Sequence, residues 1–390
     1  MINNQKKSLV NQKLNDSKID FGVTTGSIAT ATSLAALERI LDPEKVIDFV
    51  RISTPFDEID VIIEKSSLLS ENKAESIGVK YPYNDPDVTV NLKIISSVEL
   101  IDKSEYNNKS KSRFKSNIII EGGIGVGKVT KPGLQIPIGK SAINPTPLTM
   151  IEKNLNDLVP NGKIAKVIIS VPDGEKIAKK TMNPKLGIVG GISILGTTGI
   201  ARAMSSKAYK DSLICQMDIA MAMIKESNYT KDDLIFVPGN IGEKLALENL
   251  VLKNNEMPIK EQIIQTGNYV GFMLSYANKI GINNLILYGH IGKLVKLASG
   301  IFNTKHSVAD GRREVIATHA GLCGADKETI ESVFKSKNTE EMIEILKKKD
   351  IDKDVLNSIS LTIRKICLER FNLNVKVILV DMQGNQLNSM

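Results

Sequence analysis

Leu285-Ile286-Leu287-Tyr288-Gly289 is a short apolar run that closes on a glycine, and the same arrangement recurs along the second half of the chain. Ile192 to Leu195 runs into Gly196, Leu234 to Val237 is followed by Gly239, and Ile263 to Gln265 by Gly267. Each run precedes a helix-like segment. Short apolar strands alternating with longer amphipathic helices are the pattern of a mostly parallel sheet with helices on both faces. In such a sheet the strand-to-helix loops gather at one edge, where a ligand meets backbone NH groups and helix N-termini, so the binding crevice is expected there. Val355, Ile359, Ile363, Ile366 and Cys367 share one face of a late helix expected to pack on the sheet, and Val375 to Asp381 reads as the last strand. Residues 183–390 are thus expected to form an α/β Rossmann-like domain.

Upstream, residues 19–182 read as a mixed α+β domain. Thr24-Thr25-Gly26-Ser27 precedes an Ala-rich stretch, Ile28 to Leu37, which predicts a helix with a hydroxyl cap at its entry. β-Branched runs at Val46 to Ser53, Ile59 to Glu64, Val88 to Ile95 and Asn117 to Glu121 predict strands. A solvated loop rich in Lys, Ser and Asn is expected from Asp102 to Asn117. A short helix near Leu148 to Leu158 and a strand from Ala165 to Val171 close the domain. Residues 1–18 lack a continuous apolar segment and read as a flexible tail rather than a secretory signal.

With 390 residues, two domains are expected. A 42% hydrophobic content and a mean hydropathy of −0.06 exclude wholesale disorder and rod-like repeats. The longest candidate membrane segment, Leu186 to Ala201, contains five glycines and is rejected. Fifty-one Lys plus Arg against 44 Asp plus Glu leave a net +7, which favours anionic partners without naming one. Three scattered cysteines, Cys215, Cys323 and Cys367, form no CxxC pair, so neither a disulfide framework nor a structural zinc site is expected, and a reducing cytoplasm fits. Absence of Trp and 4% aromatic content argue against a nucleic-acid module.

Gly122-Gly123-Ile124-Gly125-Val126-Gly127-Lys128-Val129 matches a phosphate-loop spacing up to the lysine, but Val129 stands where the metal-binding hydroxyl belongs and Lys131-Pro132-Gly133 interrupts the helix that must follow. A glycine-rich turn, or one whose NH groups and Lys128 meet ligand carboxylates, remains open. Gly196-Thr197-Thr198-Gly199 offers NH groups and hydroxyls suited to an anion or nucleoside, or else a structural turn. His290, His306 and His319 lack metal-ligand spacing; His290, at a strand end, is best placed for a site, and His319 reads as packed. Asp85-Pro86-Asp87-Val88-Thr89 and Ala142-Ile143-Asn144-Pro145-Thr146-Pro147 read as turns that could also present Asp87 and Asn144 to a ligand. Arg312 and Arg313 are either a carboxylate fork or a solvated face.

Taken in order, Phe21 to Ser27, Asp85 to Thr89, Gly122 to Gly133, Ala142 to Pro147, Asn183 to Gly199, and Gly289-His290-Ile291-Gly292-Lys293 continuing to Thr304 resemble the cobalt-precorrin-5B methyltransferase family of the CbiD type. The resemblance implies methyl transfer from S-adenosylmethionine to ring carbon 1 of cobalt-precorrin-5B, giving cobalt-precorrin-6A in anaerobic cobalamin biosynthesis. Cobalt would then arrive with the substrate, with no protein-bound metal. Under this reading Gly196, Thr197, Thr198, Gly199, Gly239, Asn240 and Gly289 are expected at the donor site, with His290, Thr25 and Asp87 as candidate catalytic groups. Thr24, Ser27, Lys128, Lys131, Asn144, Lys293 and Arg312 are expected to hold the carboxylate-rich macrocycle. No membrane or nucleic-acid partner is expected, and a homodimer is possible. The alternative is a non-catalytic corrinoid or tetrapyrrole carrier. One departure stands out: the family pattern usually has a cysteine where this chain has Ile28, a position read as packing at a helix start.

Overall fold

The protein is described from a computed structural model covering residues 21–83, 87–105, 117–201, 206–225, 234–252 and 256–389. The tail expected at 1–18, most of the loop expected between Asp102 and Asn117, and Asp85 with Pro86 lie outside these residues. Contacts divide the chain into two units, Met1–Ser205 and Ser206–Met390.

The first unit is organised around a helix with almost no solvent-facing side. Strand β1 (Gly22–Val23) leads into helix α1 (Thr25–Leu41), whose N-cap Thr24 accepts a hydrogen bond from the Ser27 NH through its side chain. The hairpin β2 (Phe49–Ser53) and β3 (Glu58–Ile62) follows. A five-stranded sheet is built from β4 (Lys65–Ser70), β5 (Lys73–Val79), β6 (Lys93–Asp102), β7 (Ile118–Gly122) and, after the two-residue β8 (Lys128–Val129), β9 (Lys163–Ser170), in the order β4-β5-β6-β9-β7. Only β7 and β9 run parallel. Helix α2 (Pro145–Leu155) packs beside α1.

The closeness of α1 to the sheet depends on small residues. Along β5 the buried face is Ala74, Ser76 and Gly78. A Cβ on Gly78 would lie 2.7 Å from Ile28 Cγ2 and 3.0 Å from Thr32 Cγ2. Ser96 of β6 meets the Thr32 hydroxyl at 2.7 Å, so hydroxyl pairs satisfy the polar atoms sealed in this interface. The β4–β5 hairpin was not foreseen, because apolar alternation is missing where serine and glycine occupy the inward positions.

Residues 183–201 also belong to the first unit, which corrects the expected boundary at 182/183. Strand β10 (Ile188–Val189) pairs with β8, and β11 (Ile200–Ala201) pairs with β1. The run Ile192 to Leu195, expected as a strand of the parallel sheet, instead makes isolated bridges: Ile192 to Val126 and Ile194 to Ile143. Its Ile192 and Ile194 side chains fill the first unit's core, which demands burial without requiring a place in a sheet. The phosphate-loop spacing discounted from the sequence is followed by β8 rather than a helix. Gly125, at φ +71°, is in such close contact that a Cβ there would meet the Val171 carbonyl, while Cβ atoms on Gly174 and Gly191 would strike the Gly125 carbonyl. Backbone crowding accounts for these glycines.

The second unit has the expected parallel sheet. Helix α3 (Ser206–Lys225) precedes β12 (Ile235–Val237), followed by α4 (Asn240–Asn249), β13 (Ile263–Gln265), α5 (Val270–Lys279) and β14 (Asn284–His290). Helices α6 (Arg312–Leu322), α7 (Lys327–Lys335), α8 (Thr339–Lys348) and α9 (Asp352–Phe371) lead to β15 (Asn374–Val380). The sheet order is β13-β12-β14-β15, parallel throughout. One face carries α3, α5, α6 and α9, with Val355, Ile359, Ile363 and Cys367 buried as expected, while Leu245 and Ala246 of α4 cover Tyr288 and Ile378 on the other. No helix among the described residues is long and apolar enough to cross a membrane.

Candidate functional site

The chain leaves β12 toward one side of the sheet, to reach β13, and later fills the other side with β14. That reversal opens a crevice at the carboxyl ends of β12 and β14, where ligands of parallel α/β sheets characteristically bind. Pro238-Gly239-Asn240 and Gly289-His290-Ile291 stand at this point. Four residues anticipated from the sequence, Gly239, Asn240, Gly289 and His290, are therefore brought to one edge.

Their local roles differ. Nothing lies within 4 Å of where a Cβ on Gly239 would project, so that backbone faces open space, whereas a Cβ on Gly289 would press on the Pro238 ring at 2.7 Å. Gln265, from the end of β13, donates its side-chain NH2 to Asn240 Oδ1 at 2.8 Å and to the Glu243 carboxylate. His290 caps the short helical turn Ile291–Leu294, accepting the Gly292 NH through Nδ1 at 3.2 Å, and its Nε2 lies 2.8 Å from Glu340 Oε1. With Nδ1 accepting, the ring proton belongs on Nε2, and the imidazole has no lone pair to spare as a general base. The base role expected for His290 is at odds with this arrangement.

Beside that crevice is a cavity of about 300 Å³ walled by cations. Lys293 and Arg312, both anticipated, line it together with Lys296 and Lys305, which sequence reasoning did not single out. Lys293 donates to the Pro238 carbonyl at 3.4 Å and to Asn268 Oδ1 at 3.3 Å. Lys296 is only 3% exposed; its ammonium donates to the Ala309 carbonyl at 2.8 Å and lies 3.8 Å from Asp310. Arg312 forks onto the same Asp310 through Nε at 2.5 Å and an Nη at 2.8 Å. Desolvation, then Lys296, lowers the Lys293 pKa; desolvation also lowers that of Lys296, with Asp310 opposing and Arg312 adding to the shift. The Arg312 hydrogen bonds are the main cause holding the Asp310 carboxyl down at about 2. The missed signal is four cations, at 293, 296, 305 and 312, within one short stretch.

The remaining anticipated residues lie in the first unit. Gly196-Thr197-Thr198-Gly199 belongs to the first unit and is not one of the strand-to-helix loops of the parallel sheet, which corrects the expectation drawn from the sequence pattern. It packs on the entry of α1: the Thr24 NH and the Ser27 hydroxyl both donate to the Gly199 carbonyl, at 3.2 and 2.5 Å. Thr25, 4% exposed, exchanges hydrogen bonds with Leu195, its hydroxyl donating to the carbonyl at 3.2 Å and accepting the NH at 3.0 Å. Thr197 and Thr198 are exposed, and the Thr198 hydroxyl donates to the Ile200 carbonyl. Asn144 begins α2, its NH bonded to the Ile194 carbonyl. Lys128 is exposed on β8, and the Lys131 stem covers Gly187.

Asp87 accepts from the Lys80 ammonium at 2.5 Å, the Tyr83 hydroxyl at 2.7 Å and the Thr89 NH at 2.7 Å. Burial alone would raise its pKa, but the bonds from Lys80, Thr89 and Tyr83 outweigh that and hold the carboxyl well below the usual range. Such a carboxylate is a brace rather than a base near neutrality. Desolvation raises the thiol of Cys215 to about 11 and that of Cys367 to about 12, and raises Cys323 as well, which leaves all three protonated at neutral pH. No group of three or more metal-ligating side chains occurs among the described residues.

The family model CbiD matches residues 12–203, and the model for the CbiD C-terminal domain matches residues 303–389. A protein of Methanobrevibacter smithii named cobalt-precorrin-5B C(1)-methyltransferase is 56% identical over 367 residues, covering 94% of this chain and 96% of that protein. A protein of Methanosphaera stadtmanae bearing the same name is 48% identical over 370 residues, covering 94% and 90% respectively. Among solved structures, a cobalamin biosynthesis protein (cbiD) from Archaeoglobus fulgidus is 24% identical, covering 75% of this chain and 84% of its own, with a TM-score of 0.34.

Proposed function

From the membership of this chain in the CbiD family, we infer that it is a cobalt-precorrin-5B C(1)-methyltransferase acting in cobalamin biosynthesis. The observation that carries this reading is the 56% identity to a curated relative of that name across nearly the full length of both proteins. The methyl donor is S-adenosylmethionine, the product is cobalt-precorrin-6A, and cobalt enters as part of the substrate.

The site's chemistry supports the reading. Transfer from a sulfonium is an in-line displacement that demands alignment of the methyl carbon with the ring carbon and restricted access of water. It needs no protein nucleophile, in keeping with three protonated thiols and a capped imidazole. The donor is assigned to the crevice at Gly239 and Asn240, where the open backbone edge admits a ligand and the Glu243 carboxylate favours a cation.

The test is incubation of the purified chain with cobalt-precorrin-5B and donor carrying a ¹³C methyl group. Appearance of the label at ring carbon 1 by NMR is expected. Tight binding of the corrinoid without any transferred label would leave a carrier in place of an enzyme.

A further inference from the structure

We propose that the cationic cavity of the second unit holds peripheral carboxylates of the macrocycle and repels the methyl donor. The proposal rests on the methyltransferase reading and deepens it by dividing the two ligands between two places. Lys293, Lys296, Lys305 and Arg312 put four positive charges on one cavity, and Asp310 is the acid in contact with two of them. Among the described residues Lys293 meets only uncharged acceptors, Pro238 and Asn268. Keeping a 3% exposed ammonium at position 296 next to a guanidinium costs desolvation and repulsion, and a counter-anion entering the cavity relieves both.

Charge sign decides which ligand enters. S-Adenosylmethionine carries a sulfonium and an ammonium against one carboxylate, so it is a net cation. The corrinoid's acetate and propionate arms make it a polyanion. A surplus of positive charge on this wall, four cations against Asp310 and the more distant Glu340, therefore attracts the second and disfavours the first. Size agrees: about 300 Å³ lies at the lower end of small-molecule pockets, roughly 300–1,000 Å³, and suits the arms at one edge of the ring rather than the ring itself. The fork that Asp310 already makes with Arg312 is the geometry a substrate carboxylate would use with this wall.

The test uses the full chain with Lys293→Gln, Lys305→Gln and the double variant, both side chains being exposed and their loss compatible with folding. Uroporphyrin III, an octacarboxylate, serves as a fluorescent binding probe, alongside steady-state methyl transfer. Each single change is expected to weaken the porphyrin and raise KM for cobalt-precorrin-5B about tenfold, the double change more, with the salt dependence of binding reduced and KM for the donor held within about twofold. A rise in donor KM with porphyrin affinity unchanged would place the donor in the cavity and overturn the proposal while sparing the methyltransferase reading. Unchanged values for both ligands would overturn it as well. Wild-type chain that transfers no methyl would defeat the enzymatic reading alone, since porphyrin affinity still decides the cavity's role.

Discussion

Asp87 and Lys80 form an ion pair that water barely reaches, with side-chain exposures of 18% and 5%. The Tyr83 ring, which donates its hydroxyl to the same carboxylate, lies flush against Gly22, so the pair braces the segment that leads into α1. Asp87→Asn leaves a buried ammonium without its counter-charge, a loss of about 3–5 kcal/mol of stability by chemical denaturation, and Lys80→Met in the same chain should recover a large part of it. The sign of the pH dependence follows from the depressed carboxyl. Stability from the pair is present above the unfolded value of 3.8 and disappears as pH falls through the lower folded value, so the gap between wild type and Asp87→Asn should narrow in acid. The sequence exposed Asp87 as noteworthy yet hid its task, because Lys80 reaches it only after the chain turns. Lys296 shows the opposite difficulty: Leu-Val-Lys-Leu-Ala looks like any lysine on a helix, and it is buried by Thr304 and Ala309, which fold over it from later in the chain.

Helix α1 and strand β5 were unequally visible before folding. The capped, Ala-rich helix announced itself through local chemistry, whereas β5 has polar and small residues where a strand usually shows its apolar side. Its sequence makes sense only once α1 is lying on it. Ile28, fully buried, extends Cγ2 to the place a Cβ on Gly78 would occupy. Gly78→Ala is therefore expected to overpack and cost about 1–3 kcal/mol. Ile28→Cys is expected to lose about 1–3 kcal/mol through the space it vacates, with methyl transfer retained. The double variant should be more stable than the sum of the two losses predicts, and a double-mutant cycle from thermal unfolding measures that coupling. Ile192 to Leu195 teaches the complementary lesson. Local pattern marked the run as apolar and ending on glycine, but the choice between a parallel sheet and isolated bridges from Ile192 and Ile194 to Val126 and Ile143 is made by partners distant in sequence.

At the scale of the whole chain, a surplus of seven positive charges was legible from composition alone, and its concentration around one cavity was not. That concentration has a pH signature. Lys293 is depressed first by desolvation and then by Lys296; Lys296 is depressed by desolvation and by Arg312, against the pull of Asp310. Exposed Lys305 and His306 also line the cavity, and the Glu340 carboxylate of α8 acts on Arg312. For a lysine whose folded pKa is lowered, the unfolded chain binds more protons between the lowered value and 10.5, so these two groups make stability rise with pH across that window, the same direction as Asp87 but at alkaline rather than acid pH. Ligand binding responds the other way. As pH climbs through the depressed values the cavity loses charge, and KM for the corrinoid should increase at a pH below the ordinary lysine value of 10.5. Lys293→Arg keeps its charge throughout this range and should flatten that alkaline rise while preserving affinity near neutrality. An alkaline KM profile identical in Lys293→Arg and wild type would show that proton loss at this amine does not govern how the polyanion is held.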